Sequence, residues 1–328
     1  MDKILIVGYG SIGKRHVKNL LQNSKHEILI VTKRKINNKN EPRIKYFDSL
    51  TDALKEDPKI GFVTNETSFH VETAIKLAKK NIHLFIEKPL SNSSKNIKKL
   101  QEIVNKNKLI TQMGCNWRFH PCIKKIKNII EKEEIGKIYS VQVESNSYLP
   151  DWHPYEDYRK GYAAKKKLGG GILLTCIHEL DFLYWYFGKI NEIFSVTKKQ
   201  SQLEVNVDDI SLMIIKFKKN ILGEIHLDYF QRPDYKRCKI IGSKGTLYWD
   251  SNINQVKFYS KNKKKWIKKI EIKKYEKNEM YVNEILHFLK SVKNKKKTIN
   301  SLSDGIKTLE ISLAAKKSSA QKKMIKIN

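Results

Sequence analysis

A chain of 328 residues, 40% hydrophobic, is long enough for two domains with an ordinary core. Its net charge of +31 comes almost wholly from lysine, because arginine occurs only at positions 15, 34, 43, 118, 159, 232 and 237. Nucleic-acid interfaces favour the arginine fork, so a lysine excess alongside abundant Asn and Ile reads as AT-rich codon usage and argues against a nucleic-acid partner. The same excess favours encounter with anionic substrates. Cys115, Cys122, Cys176 and Cys238 form no C-x-x-C pair, so neither a zinc site nor a disulfide framework is indicated. No cluster has metal-ligand spacing, no apolar run spans a bilayer, and no signal leader is recognisable, so a reduced cytoplasm is expected.

KILIVGYGSIGKRHVKNLL predicts a strand, a tight turn and a helix, with residues 3–7 a buried parallel strand. EILIVT (27–32) predicts a second strand, followed by the polar loop NNKNEPR. SLTDALKED predicts a short helix capped by Ser49, with Asp52 three residues on. IGFVTNET predicts a third strand, and HVETAIKLAKKN an amphipathic helix with Val71, Ala74, Ile75 and Ala78 on one face. HLFIEKPLS is a fourth strand ending at Pro89, 94–106 a helix, and LITQMGC (109–115) a fifth strand. Strands alternating with helices predict a doubly wound parallel sheet, a Rossmann domain over residues 1–120.

Past residue 120 the pattern changes to an α+β domain, 121–328. A helix at 121–133 precedes a strand at 137–147 and the polar, aromatic loop SYLPDWHPYEDYRKGY. GGGILLTCIHELDFLYWYFG (169–188) predicts one almost wholly apolar helix with His178, Glu179 and Asp181 in its middle. Short strands at 209–217, 223–230, 235–243, 245–250 and 255–260 predict an open, mainly antiparallel sheet with helices on one face. Residues 276–292 and 303–319 read as terminal helices, one of which can pack back on the first domain. KNKKKWIKK and KNKKK read as solvated lysine-rich loops.

Gly8-x-Gly10-x-x-Gly13 joins the first strand to its helix. There the glycines allow a tight turn and close approach to a pyrophosphate, and the helix N-terminus offers N–H donors. The second strand ends in Thr32-Lys33-Arg34, where an NAD enzyme carries an acid for the ribose 2′-hydroxyl. A hydroxyl followed by two cations suits a 2′-phosphate and NADP(H); equally, these cations belong to a lysine-rich surface, and NAD stays open. Lys88, in Glu87-Lys88-Pro89, closes a parallel strand and points into the crevice where ligands bind. Pro89 suits a cis peptide. A cationic nicotinamide nearby would lower the Lys88 pKa and ready it for proton transfer.

GYGSIG, TNETSFH (64–70), EKP (87–89), NWRFHP (116–121) and GGG…HELD (169–181) occur in the order seen in the Gfo/Idh/MocA oxidoreductases. The chain resembles that family over its whole length, including EMYVNEILHFL and SLSDGIKTLEISLAA. The resemblance implies a nicotinamide cofactor in the Rossmann domain and a sugar or polyol against the open sheet of the second. It implies cofactor contacts from Gly8, Tyr9, Gly10, Ser11, Ile12 and Gly13, from Thr32, Lys33 and Arg34, from Asn65, Thr67 and His70, and from Glu87, Lys88 and Pro89. Lys88 and His178 take the family's proton-transfer positions. The family's aspartate four residues before that histidine is Leu174 here; a one-residue slip offers Thr175 as a substrate contact, without charge. Asp181, three residues after His178, either orients it as a catalytic partner or is structural. Glu179 projects about 100° away and is expected to meet an Arg or Lys.

Trp152, His153, Tyr155, Tyr158, Arg159 and Tyr162 combine aromatic faces with hydrogen-bond donors, a mixture that suits sugars; the alternative is an aromatic loop packed on the sheet. Arg118 is expected to meet a substrate anion. RFHP, YLPDWHPYEDYR and HELD resemble a subgroup associated with surface-glycan gene clusters, which implies a sugar or nucleotide-sugar substrate. The sequence thus points to an NAD(P)-dependent dehydrogenase, with Lys88, aided by His178, taking the hydroxyl proton. A redox-neutral epimerase or lyase and a non-catalytic NADP(H)-sensing protein remain open. A homodimer or homotetramer through the second sheet is expected, with no nucleic-acid or membrane partner.

Overall fold

The computed structural model describes residues 2–36 and 40–327, so the first three residues of the polar loop NNKNEPR lie outside the described residues. The chain divides into two compact units, one built from residues 1–116 and 277–306, the other from 117–276 and 307–328.

The first unit begins β1 (Ile4–Val7), α1 (Ser11–Asn23), β2 (Ile28–Val31), β3 (Ile44–Phe47), α2 (Leu50–Leu54) and β4 (Ile60–Val63). It continues α3 (His70–Ala78), β5 (His83–Glu87), α4 (Ile97–Lys106) and β6 (Thr111–Gly114). The strands form a six-stranded sheet of order β3-β2-β1-β4-β5-β6, parallel throughout. The order reverses between β1 and β4, the switch point at which such sheets bind ligands. Near-continuous apolar strands such as ILIV are what a sheet covered on both faces requires. Ser49 caps α2 by accepting the Asp52 N–H, as its sequence position predicts. The sequence reading missed β3. Its residues IKYF lie only partly buried at the sheet edge, so their apolar signal is short and interrupted by Lys45.

The second unit contains α5 (Pro121–Glu131), β7 (Ile138–Asn146), α6 (Ile172–Thr175), α7 (His178–Phe187), β8 (Ile190–Lys198), β9 (Ile210–Phe217) and β10 (Leu222–Asp228). β11 (Tyr235–Gly242), β12 (Gly245–Asp250), β13 (Gln255–Ser260) and β14 (Lys265–Glu271) follow. The chain then forms α8 (Glu279–Lys293) in the first unit, α9 (Leu302–Gln321) and β15 (Ile325–Lys326). The second sheet has nine strands, order β14-β13-β12-β11-β7-β10-β9-β8-β15, antiparallel except for the parallel pair β7–β10. The fold is therefore α/β, a parallel Rossmann sheet followed by an α+β domain with a mainly antiparallel sheet.

KNKKKWIKK is not wholly loop: its second half enters β14, an edge strand. Alternating lysine keeps such an edge soluble, which is why it resembles solvated loop in the sequence. The expected single helix at 169–188 is two, α6 and α7, separated at Cys176 and Ile177. Thr175, Cys176 and Ile177 are weak helix formers, and His178 opens α7 instead of lying mid-helix.

The first core joins Ile4, Ile6, Val17, Ile28, Phe62 and Phe85 with Ile285 and Phe288 of α8, and the Phe62 and Phe85 rings stack at 4.6 Å. The second places α5 and α7 against one sheet face through residues such as Ile123, Leu183, Ile225, Cys238 and Trp249.

Candidate active site

In the first unit, two of the three glycines are fixed by the protein's own packing. A Cβ on Gly8, at φ +103°, would lie 2.5 Å from the Asn65 nitrogen, and one on Gly13 would lie 2.2 Å from the Gly8 oxygen. A Cβ on Gly10 would meet nothing within 4 Å. Gly10 thus faces open space, into which a pyrophosphate would fit. α1 starts next to it with no side-chain cap and no acid in its first turn, so its donors and dipole favour an anion. Ser11 and Ile12 open that helix, and Thr64 Oγ1 braces the turn by donating to the Gly8 carbonyl at 2.7 Å.

At the end of β2, the Arg34 N–H donates to Thr32 Oγ1 at 3.1 Å, while Lys33 and Arg34 are exposed. Tyr9 stands edge-on to Tyr46, 6.2 Å between centroids; burial and Tyr9 push the Tyr46 phenol up to about 12. After β4, Asn65 Nδ2 donates to Thr73 Oγ1 at 3.0 Å, and Thr67 lies buried in a short 3₁₀ turn. His70 is buried with Nδ1 2.8 Å from the Pro89 carbonyl and Nε2 2.9 Å from the Asn65 carbonyl. Desolvation lowers its pKa, although both carbonyls oppose the shift. His70 thereby ties the turn after β4 to the end of β5.

Lys88 follows β5 directly, and the Lys88–Pro89 peptide is cis. Glu87 is held inside the unit. One carboxylate oxygen sits 2.7 Å from His16 Nε2, and the other accepts the Lys88 backbone N–H at 3.2 Å. Gly114 makes room for this carboxylate, since a Cβ there would lie 2.8 Å from it. The carboxylate thus anchors the lysine's backbone. His16 escapes a sequence reading because it looks like a polar interruption of α1.

In the second unit, Gly170 and Gly171 turn the chain tightly into α6. A Cβ on Gly170 would lie 2.3 Å from the Tyr162 oxygen, and one on Gly171, at φ +106°, would lie 3.0 Å from the Asp208 carboxylate. Asp181 and Arg118 find each other: Nε to Oδ2 and Nη2 to Oδ1 are both 2.8 Å, with both side chains buried. The sequence placed Arg118 at a substrate anion and left Asp181 either orienting His178 or structural; the two form a bidentate pair in the interior. The guanidinium fork matches two carboxylate oxygens, and burial there demands a counter-charge. Glu179 meets Lys236, Nζ to Oε1 2.5 Å, and Lys236 also donates to Ser145. That is the cationic partner its position on the helix implies.

β7 and β10 run parallel and end together at Asn146 and Asp228, and β11 starts beside them at Tyr235. The Lys236–Glu179 pair brings the start of α7, and so His178, to this sheet end. Tyr229, fully buried, has its phenol raised well above its ordinary value by desolvation, with a hydrogen bond from Thr175 opposing. The Trp152 ring meets Tyr229 edge-on at 5.4 Å, and its Nε1 donates to Ser147 Oγ at 2.9 Å. Thr175 and Trp152 thus meet at Tyr229, with His178 next to Glu179 in the first turn of α7. The rest of the aromatic loop lies farther out: Tyr155 is 76% exposed, with its hydroxyl 3.2 Å from His153 Nδ1. Tyr162 is also exposed, Arg159 is tied to Asp157 and Glu204, and the Tyr158 hydroxyl accepts the Glu204 N–H. Among the described residues, no group of three His, Cys, Asp or Glu side chains is placed to hold a metal, and no helix is long and apolar enough to cross a membrane.

Residues 3–115 match the family model described as "Oxidoreductase family, NAD-binding Rossmann fold", and residues 127–327 match "Oxidoreductase family, C-terminal alpha/beta domain". The chain is 28% identical to the myo-inositol 2-dehydrogenase of Thermotoga maritima, over 99% of this chain and 98% of that protein. It is 26% identical to the scyllo-inositol 2-dehydrogenase (NAD(+)) of Bacillus subtilis, over 94% and 92%. Among solved structures, levoglucosan dehydrogenase in complex with NADH superposes with a TM-score of 0.88 at 17% identity, covering 100% of this chain and 99% of that one. Myo-inositol 2-dehydrogenase from Lactobacillus plantarum gives 0.82 at 18% identity, covering 99% of each. At those identities the likeness establishes the fold. With both domain models matched in order, the chain belongs to the Gfo/Idh/MocA oxidoreductase family.

Proposed function

We propose that the protein is a dehydrogenase of sugars or polyols that uses NAD or NADP. The observation that carries this reading is Lys88, fixed at the carboxyl end of β5 through the buried Glu87–His16 pair. The names of the inositol and levoglucosan dehydrogenases point to the same substrate class. The turn Gly8–Gly13 holds the pyrophosphate on the α1 N-terminus, with Tyr9, Ser11 and Ile12 along it. Thr32, Lys33 and Arg34 face the ribose, where two cations favour a 2′-phosphate. Asn65, Thr67, His70 and Pro89 wall the turns between them. When bound, the nicotinamide supplies the hydride acceptor. Lys88 Nζ takes the proton of the reacting hydroxyl, and His178 assists. Thr175 and Trp152 contact the substrate at the sheet end, with His153, Tyr155 and Tyr162 nearer solvent. Arg118 and Asp181 act by holding α7 in place. We further read the substrate as a free or nucleotide-linked sugar of surface-glycan synthesis, following the RFHP and HELD resemblance.

Fluorescence titration with NADH and NADPH, followed by turnover on a polyol and sugar panel, tests the proposal. Micromolar binding with turnover supports it. Lys88→Ala is expected to lower kcat by about 10²–10⁴-fold while cofactor still binds; near-normal turnover by that variant would sink the mechanism. Tighter NADPH than NADH supports the role given to Thr32, Lys33 and Arg34, and equal affinity removes it.

A further inference from the structure

Arginine is scarce in this chain, and three of its guanidinium groups are tied to the protein's own carbonyl or carboxylate oxygens. Arg43 donates to the carbonyls of Ser24 and Leu21, Arg118 clamps Asp181, and Arg159 joins Asp157 to Glu204. Arg232 differs. It is exposed, in the segment joining β10 to β11, and its guanidinium lies 3.4 Å over the ring of half-buried Tyr148. Among the described residues no carboxylate pairs with it, and Lys236 close by is neutralised by Glu179.

The segment that presents Arg232 is held firmly. Buried Asp228 accepts the N–H groups of Phe230 and Gln231 through Oδ1, at 3.0 and 2.8 Å. The side chains of Gln231 and Asn146 meet at 2.9 Å. Holding a long side chain flat, in the open, removes the entropy that a mobile arginine would lose on binding. A guanidinium stacked on one face keeps its N–H edge free for two parallel hydrogen bonds, the geometry that carboxylates and phosphates accept. Its location completes the case. Tyr148 follows the end of β7, and Arg232 follows the end of β10, at the same sheet end as Thr175, Trp152 and the start of α7.

We propose that Arg232, stacked on Tyr148, receives an anionic group of the substrate, so that the preferred substrate is a sugar carrying a carboxylate or a phosphate. This rests on the dehydrogenase reading for the position of the reacting sugar. Calorimetric titration of the NADH-loaded protein with glucose, glucuronate and glucose 6-phosphate tests it. At least one anionic probe is expected to bind about tenfold or more tightly than glucose, as a bidentate contact allows; whichever binds tighter identifies carboxylate or phosphate. Arg232→Gln is expected to erase the difference, and Arg232→Lys to restore only part of it. Arg237→Gln removes a second stacked guanidinium, 3.5 Å over Tyr235, and is expected to keep the difference. Thermal melts check that each variant folds. Equal binding of glucose and both anions overturns the proposal, as does a preference that survives Arg232→Gln, which would trace it to the general positive charge. If NADH itself fails to bind, the dehydrogenase reading falls, and the same comparison is read on the cofactor-free protein. Turnover of neutral polyols without any preference for anions leaves the dehydrogenase standing and removes the role of Arg232.

Discussion

Removing either member of the Arg118–Asp181 pair leaves a buried charge without its counter-ion. Asp181→Ala is therefore expected to destabilise the fold by about 3–5 kcal/mol, read by urea unfolding, and the double variant Arg118→Met, Asp181→Leu to recover much of that loss. If the double variant is as unstable as the single, the pair matters for more than charge balance. The glycine turn offers a sharper separation of folding from binding. Gly10→Ala places its methyl in open space and is expected to leave the melting temperature nearly unchanged while weakening NADH binding at least about tenfold. Gly13→Ala drives a methyl into the Gly8 carbonyl and is expected to lower stability itself. At this scale the sequence was informative about the tight glycine turn, where Gly8 and Gly13 meet neighbouring backbone. It was poor where the role depends on a distant partner. Nothing in NWRFHP says that Arg118 will find Asp181, 63 positions on, and nothing in FQRPDYKR says that Arg232 will lie on Tyr148.

Element boundaries were legible when the caps were local. Ser49 and Asp52 mark α2 in the sequence and in the structure. The break between α6 and α7 was hidden because the whole segment is apolar and buried, so the hydrophobic pattern never falters where the backbone does. β14 was hidden for the opposite reason, as lysines at an edge strand imitate a loop. One cap carries a pH dependence. His120 accepts the Cys122 N–H through Nδ1 at the start of α5, which requires a neutral ring nitrogen, and burial pushes its pKa down to about 4. Between about pH 4 and its ordinary value near 6.5, the unfolded chain binds a proton there that the folded one does not. Stability is therefore full above about pH 6.5 and falls as pH drops, by up to about 1.4 kcal/mol per unit from this group. His70, lowered by desolvation, acts in the same direction. Urea unfolding at pH 7 and pH 5 reads the slope. His120→Asn, which keeps a capping acceptor, is expected to flatten it; an unchanged slope would assign the acid sensitivity elsewhere.

At the scale of the molecule, the second sheet turns one face to its helices and leaves the other open. Val196, Leu212, Ile214 and Leu222 share that open face along β8, β9 and β10, each more than 40% exposed. An apolar stripe on so charged a chain fits the homo-oligomer expected from the sequence, since lysine elsewhere discourages indiscriminate association. Ile214→Lys is expected to shift the light-scattering mass toward the monomer. A monomeric wild type at micromolar concentration would remove the oligomer from the account.

The division of the chain into units has a consequence for the order in which the protein is made. The parallel sheet is complete in sequence by Gly114, yet its core includes Ile285 and Phe288, and the Met113 N–H donates to the carbonyl of Asn300. On a ribosome, the first domain to emerge therefore cannot finish folding as it emerges. It must wait, with part of its apolar surface uncovered, through the synthesis of strands β7 to β14 of the second sheet. The period of greatest exposure to aggregation falls between those two events, and it ends only when the returning helix Glu279–Lys293 closes over the first core.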